Sequence, residues 1–219
     1  MALATRFNNL RYYLSPKKLK AVFGLLTSEQ RIKWIQTVAI QDIEQIPVAN
    51  ALPWYNFDAI DFLERQQLSR LRVLEMGGGY STLWWSKRCL SVTTIERQGD
   101  WKLKLSRSIA KNSITNVDLI DNVPGVVDKE EYCKQYLSCL ADGKKYDVII
   151  IDDVCRSEAL LIAVNKVQKP GILILDDSER LSYQSAMDKI DGYQWARYSF
   201  SGTAPFHFHE KQTTIWLLQ

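Results

Sequence analysis

Residues 71–82 read Leu71-Arg-Val-Leu-Glu-Met-Gly-Gly-Gly-Tyr-Ser-Thr82. Val73 and Leu74 are typical of a short apolar strand that ends at the carboxylate of Glu75, and the glycines separate this strand from the start of a helix. Glycine tolerates positive φ and lets a ligand approach the backbone closely. The first N–H groups of a helix point into the crevice before it. The pattern predicts a cofactor-binding loop, with an ordinary strand-to-helix turn as the alternative.

A second predicted strand, Leu90-Ser-Val-Thr-Thr-Ile-Glu96, also ends in an acid. Glu96 follows Glu75 by about 20 residues, which is where nucleotide-binding βαβ units place the carboxylate that binds a ribose. Both acids and the glycine turn are therefore expected at one edge of a sheet.

The length of the chain predicts one core with an extension. It has 219 residues, of which 46% are hydrophobic. Residues 1–70 are predicted to form an N-terminal helical cover, because a capping box at Thr27-Ser-Glu-Gln30 precedes apolar residues at helical spacing and a second helix is expected from about Phe57 to Ser69. Residues 71–219 are predicted to form the cofactor-binding domain.

From Leu71 onward, short apolar runs alternate with helical stretches, which predicts an α/β fold with a mostly parallel, doubly wound sheet. The continuous apolar run at residues 148–151 is typical of a central strand. No helical pattern lies between the last two strands, so they are expected to pair antiparallel. The predicted strands are Val73–Glu75, Val92–Glu96, Val117–Ile120, Tyr146–Asp152, Ile172–Asp176, Tyr193–Phe200 and one ending at Leu218.

The cysteines and the charge distribution indicate the redox state of the thiols and the possible partners of the N-terminal segment. The four cysteines lack the spacing of a zinc site or a disulfide framework, which favours reduced, packed thiols. Residues 1–28 carry basic and aromatic side chains and no acid, which is typical either of an arm on an anionic membrane or acidic partner, or of a packing extension. The sequence shows neither a membrane-spanning run nor a signal peptide, and we predict a cytoplasmic protein.

Carboxylates follow four of the predicted strands, at Glu75, Glu96, Asp152-Asp153 and Asp176-Asp177. Ligands of open α/β sheets bind outside the carboxyl ends of the strands, so these groups are expected to line one crevice. Such a crevice suits a cation, a hydroxyl-rich ligand or a metal. A nicotinamide dinucleotide prefers a third glycine where Thr82 stands. S-adenosylmethionine, which has a sulfonium cation and no phosphate, fits better.

The ordered motifs resemble those of class I S-adenosylmethionine-dependent methyltransferases, in particular a subset with an E-x-G-x-G-x-S-T-x-W loop. The resemblance runs from Pro47 to the C-terminus, through Glu75 to Trp84, Ile95-Glu96, residues 146–152 with Arg156, residues 169–177, and the late segments 201–205 and 213–216. It implies a Rossmann-like sheet of seven strands that ends in a reversed β-hairpin. The adenine-contacting stretch is assigned to Asp121-Asn122.

The resemblance also implies roles for individual residues. Glu75 would hold the amino group of S-adenosylmethionine, Glu96 would bind the ribose, and Asp152 would lie near the methionine end and the reacting methyl group. Trp54, Tyr55 and Tyr80 would close over the cofactor, with core packing as the alternative for all three. The remaining cofactor-binding residues are assigned to the loop, at Gly77, Gly78, Gly79 and Ser81.

Methyl transfer needs a positioned nucleophile and a general base. Asp152, Asp153 and Asp177 are candidate bases. His207 and His209 are predicted to act as bases or metal ligands over the site, with His207 assigned to catalysis and His209 to substrate binding, or else to form a solvated hairpin face. Arg156 is assigned either to an anionic substrate group or to an ion pair with one of the acids. Asp152, Asp176 and Asp177 resemble the metal ligands of catechol-type O-methyltransferases, in which Mg²⁺ would lower the pKa of a substrate hydroxyl.

The substrate class follows from what the chain lacks. It has no Asn/Asp-Pro-Pro-aromatic segment after the fourth strand, which disfavours amino methylation of nucleic acid. We predict O-methylation of a small molecule or a sugar hydroxyl. The alternatives are an NAD-dependent oxidoreductase and a non-catalytic scaffold that retains the fold.

Overall fold

The structure is a computed structural model, which describes residues 34, 35, 37, 43, 44, 48–120, 129–138, 140, 143–207 and 209–219. The basic arm at residues 1–28, the capping box and the Asp121-Asn122 stretch lie outside the described residues. The membrane contact through the arm and the cytoplasmic location stay predictions. In the part of the chain that is described, no helix is long and apolar enough to cross a membrane.

A single sheet of seven strands organises the described residues. The strands are β1 (Arg72–Met76), β2 (Ser91–Ile95), β3 (Val117–Ile120), β4 (Tyr146–Ile151), β5 (Val167–Asp176), β6 (Ala196–Gly202) and β7 (Lys211–Leu218). Their order is β3-β2-β1-β4-β5-β7-β6, and β7 runs antiparallel to both neighbours while the other pairs are parallel. The predicted Rossmann-like α/β fold with a reversed final hairpin is confirmed.

Helices cover both faces of this sheet. They are α1 (Phe57–Glu64), α2 (Tyr80–Ser86), α3 (Gly99–Lys111), α4 (Lys129–Ser138), α5 (Arg156–Ala163) and α6 (Gln184–Asp191). Alternate residues of each strand point to opposite faces. Val148 and Ile150 accordingly pack with residues of α1 and α2, whereas Ile149 and Ile151 pack with residues of α4, α5 and α6. The continuous apolar run therefore forms a strand buried on both faces, as expected.

The described part of the predicted helical cover packs directly on the sheet. Helix α1 begins at Phe57, because the side chain of Asn56 accepts a hydrogen bond from the Asp58 N–H at 2.8 Å, and it ends at Glu64, short of the predicted Ser69. The Asn56 N–H donates to Thr213 Oγ1 at 3.0 Å, which ties this end of the helix to β7. The boundary predicted at residue 70 stays a prediction.

One cysteine pair corrects the expectation of reduced thiols. Cys133 of α4 and Cys155, which precedes α5, form a disulfide, with their Cα atoms 5.8 Å apart. Cys89 is a buried free thiol, as expected. The pairing was not predictable from spacing because it depends on the packing of α4 beside the start of α5.

Candidate functional site

A cavity of about 320 Å³ opens at the carboxyl ends of the central strands, within the range of small-molecule sites. Most of the predicted site residues line it, which agrees with the expectation of one shared crevice. Glu75, Asp176 and His209 are not among its lining residues. Those that are comprise Trp54, Gly77, Gly78, Gly79, Tyr80, Ser81, Glu96, Gln98, Trp101, Asp152, Asp153, Arg156, Asp177, His207 and Lys211.

The glycine loop is shaped by close contacts with the sheet. Gly77 has φ +94°, and a Cβ there would lie 2.7 Å from the backbone oxygen of Asp152. A Cβ on Gly78 would lie 2.4 Å from Cγ2 of Thr94. The first glycine is therefore required by the backbone conformation and the second by packing against β2.

The N–H groups of the loop already have acceptors within the protein. The Gly78 N–H donates to Glu96 Oε2 at 3.0 Å, and the Gly79 N–H donates to Thr82 Oγ1 at 3.0 Å. Glu96 also accepts the Gln98 N–H at 2.7 Å. A pyrophosphate needs free N–H donors at this position and would meet a carboxylate instead. The loop therefore suits a ligand with hydroxyl groups better than one with phosphates.

Glu75 lies behind the loop rather than in the cavity. Its side chain is fully buried, and Oε2 accepts hydrogen bonds from the hydroxyls of Thr82 and of Thr94, the latter at 3.0 Å. Desolvation raises the pKa of Glu75 to about 7, and the neighbouring hydroxyls only partly oppose this shift. The described contacts make Glu75 a support for the loop, and its predicted bond to the cofactor amino group stays untested.

Aromatic side chains form one wall of the cavity. Trp54 is 39% exposed, and its ring lies 6.2 Å from those of Tyr80 and Trp101 and 5.2 Å from that of His207. Trp101 was not predicted. Its Nε1–H donates to the Gly78 carbonyl at 2.7 Å, so it covers the loop. The sequence signal was its position in the first turn of the helix after Glu96. Tyr55, by contrast, is fully buried.

Arg156 orders the segment that follows β4. Its guanidinium lies 2.9 Å from Asp152 Oδ1 and 3.2 Å from Asp177 Oδ2. It also donates to the backbone carbonyls of Asp153 at 2.7 Å, Asp176 at 2.5 Å and Asp152 at 3.1 Å. With its donors used in this way, Arg156 matches the ion-pair alternative better than the anchoring of a substrate.

Asp152, Asp176 and Asp177 form a carboxylate cluster that Arg156 and Lys211 contact. Lys211, the second of these cations, was not predicted from the sequence. Its ammonium contacts Asp176 Oδ2 and lies 2.8 Å from Asp177 Oδ1. Burial alone would lower the pKa of Lys211, but the charges of Asp176, Asp152 and Asp177 outweigh it and raise the pKa above its usual value. The register of β7 holds the missed signal, because Thr213 pairs with Asp176 and Lys211 lies on the same side of that strand.

The pKa values of Asp152 and Asp177 shift in opposite directions. Burial, followed by the charge of Asp176, raises the pKa of Asp152 well above its ordinary value, although 19% of its side chain stays exposed. Burial would also raise the pKa of Asp177, but Lys211 and Arg156 more than compensate and lower it. Of these two candidate bases, only Asp152 therefore has a pKa raised in the direction that favours proton uptake.

Asp153 lines the cavity and pairs with Arg97. Its Oδ1 lies 2.8 Å from Arg97 Nε, and the side chain is 8% exposed. Oδ2 is buried and has no hydrogen-bond partner among the described residues. Buried carboxylate oxygens are normally paired, so the unpartnered state of Oδ2 sets it apart from the other acids that line the cavity.

His207 is placed as a neutral base. Nδ1 lies 3.0 Å from the Pro205 carbonyl, and because a carbonyl only accepts, Nδ1 carries the proton and Nε2 keeps its lone pair. Burial, with the charges of Lys211 and His209, lowers the pKa of His207 to about 4. Trp34 donates to the His207 carbonyl at 2.8 Å, so a residue of the predicted cover holds this loop. His209 is exposed, with its ring 5.1 Å from that of His207.

No protein-family model matches the sequence, and no curated protein matches it either. Many solved structures share the fold. The O-methyltransferase TomG of Streptomyces achromogenes, involved in tomaymycin synthesis and solved with S-adenosylmethionine, superposes with a TM-score of 0.57 at 15% identity over 88% of this chain and 100% of TomG. A precorrin-6y C5,15-methyltransferase of Geobacter metallireducens gives a TM-score of 0.55 at 12% identity over 74% of this chain and 87% of that protein.

The 16S rRNA N2 methyltransferase RsmC of T. thermophilus, solved with S-adenosylmethionine and guanosine, gives a TM-score of 0.53 at 14% identity over 73% of this chain and 42% of RsmC. These likenesses place the chain in one fold class: it has the fold of the class I S-adenosylmethionine-dependent methyltransferases. The three names cover oxygen, carbon and nitrogen acceptors, so the fold alone leaves the acceptor open.

Proposed function

We propose that this protein is an S-adenosylmethionine-dependent methyltransferase that methylates a hydroxyl oxygen of a small molecule or a sugar. The observation that carries the proposal is the placement of Glu96, whose carboxylate lines the cavity and already holds the loop N–H groups of Gly78 and Gln98. Its remaining lone pairs suit the two hydroxyls of a ribose. A pyrophosphate finds no comparable donors, which disfavours the NAD-dependent alternative.

The rest of the cavity suits the other parts of S-adenosylmethionine. The backbone of the glycine loop would border the adenosyl and methionine portions, and the rings of Trp54, Tyr80 and Trp101, which line the same cavity, would pack on the adenine and the sulfonium. Asp153 lines the same cavity and is the candidate partner for the ammonium group of the methionine part. S-adenosylmethionine, when bound, supplies a methyl group that its sulfonium has already activated.

His207 is the general base of the proposed reaction. His207 Nε2 would take the proton of the acceptor hydroxyl, and bound S-adenosylmethionine would supply the methyl group to the acceptor oxygen, so that a methyl ether and S-adenosylhomocysteine would result. Asp152 is the alternative base, since its raised pKa favours proton uptake. Asp177 is a poorer candidate because Lys211, Arg156 and Arg180 contact its oxygens.

Isothermal titration calorimetry of the full chain with S-adenosylmethionine, S-adenosylhomocysteine and NAD tests the cofactor. We expect both adenosyl ligands to bind and NAD not to bind. Glu96→Gln should weaken adenosyl binding roughly 10- to 100-fold, because one charge-assisted hydrogen bond contributes about 1.5–3 kcal/mol. Glu64→Gln, which removes a glutamate with a 40% exposed side chain on α1, is the matched control.

Each other outcome has a definite meaning. NAD binding alone would replace the proposal with the oxidoreductase, and silence from all three ligands would favour the scaffold. Once the cofactor is established, release of S-adenosylhomocysteine reports turnover against a panel of phenols and sugars. His207→Gln should then lower kcat by about 10²–10⁴-fold while leaving adenosyl binding intact. An unchanged kcat would transfer the role of base to Asp152.

A further inference from the structure

The acids assigned to a metal do lie together. One carboxylate oxygen from each of Asp152, Asp176 and Asp177 falls within 4.8 Å of the others. Such oxygen ligands suit Mg²⁺ or Mn²⁺. The three residues that the resemblance to catechol-type enzymes implies as metal ligands therefore lie close together in the structure. Whether they fit a metal depends on which other side chains contact them.

Two protein cations already contact this cluster. The ammonium of Lys211 bridges Asp176 and Asp177, and the guanidinium of Arg156 bridges Asp177 and Asp152. The remaining oxygen of Asp176 accepts the hydroxyl of Thr213 at 2.7 Å. Mg²⁺ requires near-octahedral oxygen ligation at about 2.0–2.1 Å. It could reach Asp176 and Asp177 together only by displacing Lys211, whose side chain is 3% exposed. The described residues therefore do not fit a divalent metal.

We propose that Lys211 is the built-in cation of this site, so that the proposed methyl transfer runs without a divalent metal and Lys211 provides the positive charge facing the acceptor oxygen. The inference rests on the proposed function for the identity of the acceptor, whereas the exclusion of metal rests on the contacts of Lys211 alone. Two of the three N–H donors of the ammonium are engaged by Asp176 and Asp177, and no further partner occurs among the described residues.

The third N–H of the Lys211 ammonium is the one that could donate to a ligand in the cavity. Lys211 and His207 both line the cavity. A neutral imidazole removes a hydroxyl proton efficiently only if the hydroxyl is acidic enough, and a fixed positive charge beside an oxygen stabilises its deprotonated form. Lys211 and His207 therefore complement each other, since the first stabilises the anion that the second generates.

The test measures binding of Mn²⁺ to the purified full chain by electron paramagnetic resonance, with no acceptor required. The wild-type protein should show no binding at this cluster up to about millimolar Mn²⁺, the weak end of protein sites for divalent cations. Lys211→Met removes the ammonium at similar side-chain length and should bind Mn²⁺ at least 10-fold more tightly than wild type. Adding Asp176→Asn to that variant should abolish the new site. Lys189→Met, an exposed lysine of α6, is the control and should resemble wild type.

Either of two results overturns the inference. One is binding of Mn²⁺ to wild type that Asp176→Asn abolishes, a measurement that remains valid if Lys211→Met fails to fold. The other is a folded Lys211→Met variant that gains no Mn²⁺ site. Calorimetry with S-adenosylmethionine on the same wild-type sample keeps the two proposals separate. If S-adenosylmethionine did not bind, the proposed function would fail, but the Mn²⁺ measurement would still test the inference about Lys211. For an identified acceptor, EDTA should leave turnover unchanged. Lys211→Met should shift the pH profile of kcat to higher pH, whereas Lys211→Arg, which keeps the positive charge, should retain the profile of the wild type.

Discussion

The pH dependence of stability offers a direct test of how Glu75 is buried. Its pKa is raised from 4.5 to about 7, chiefly by desolvation. The folded protein therefore holds this proton more tightly than the unfolded chain does, and the wild type loses stability as pH rises from 4.5 to 7. The slope is about 1.4 kcal/mol per pH unit for one proton, and 2.5 units correspond to roughly 3 kcal/mol.

Glu75→Gln removes this titration but keeps an oxygen that accepts from Thr82 and Thr94. We expect the free energy of unfolding of the variant, relative to wild type, to increase by about 3 kcal/mol between pH 4.5 and 7 and to change little outside that window. Urea denaturation at half-unit pH steps measures the difference directly, and contributions from all other titrating groups cancel in it.

Two results would refute the reasoning on Glu75. The first is a stability difference that stays constant across the window, which would mean that the carboxylate has the same pKa in the folded and the unfolded protein. The second is an equal pH-dependent gain in Glu64→Gln, which would assign the effect to the loss of any carboxylate. Circular dichroism of each variant at pH 5 and 8 would verify that the fold is unchanged.

Three further predictions concern the loop, the disulfide and the base. Gly77→Ala should lower the free energy of unfolding by about 2 kcal/mol or more because of the positive φ and the contact at its Cβ position, whereas Gly99→Ala, where a Cβ meets nothing within 4 Å, should leave it almost unchanged in urea denaturation. Reduction of Cys133–Cys155, which lie 22 residues apart, should lower it by about 3 kcal/mol, and Cys133→Ser should make stability insensitive to dithiothreitol. An NMR titration should show one imidazole with a pKa of about 4, which therefore stays neutral until the pH approaches that value, and His207→Gln should remove its signal. Titration of His207 with a pKa near 6.5 would contradict its buried placement.

The sheet edge was predictable because it depends on local sequence and on a general rule of topology. The glycines fix where β1 ends, and parallel strands bring their carboxyl ends to one edge. Glu96, Asp152, Asp153 and Asp177 consequently line the cavity as expected. Glu75 shares that edge but alternates to the buried side, where Thr82 and Thr94 contact it. A sequence shows that an acid ends a strand more readily than it shows what covers the acid.

Contacts between distant segments were not predictable in the same way. Lys211 reaches Asp176 because β7 pairs antiparallel with β5 in the register that sets Thr213 opposite Asp176. An acidic crevice was correctly expected to need positive charge, but that charge was assigned to a ligand or a metal. The sequence predicts that the last two strands pair antiparallel, but the register of β7 against β5, which brings Lys211 to Asp176, does not follow from that pairing.

The division between engaged and open groups explains why a buried ion cluster is present at this edge. Such clusters are seldom net stabilising, because desolvation offsets much of the attraction between the charges. Asp176 and Asp177 have their oxygens engaged by Lys211, Thr213 and basic side chains. Asp153 and His207 line the cavity, and Asp153 Oδ2 and His207 Nε2 have no protein partner among the described contacts. A methyl transfer from a sulfonium to a hydroxyl needs a hydrogen-bond acceptor for the ammonium of the cofactor, a general base, and a positive charge beside the hydroxyl oxygen as it loses its proton. The cluster supplies the third of these only if Lys211 keeps its proton, which the neighbouring carboxylates ensure. In the proposed reaction, the acids therefore have the role of keeping Lys211 charged.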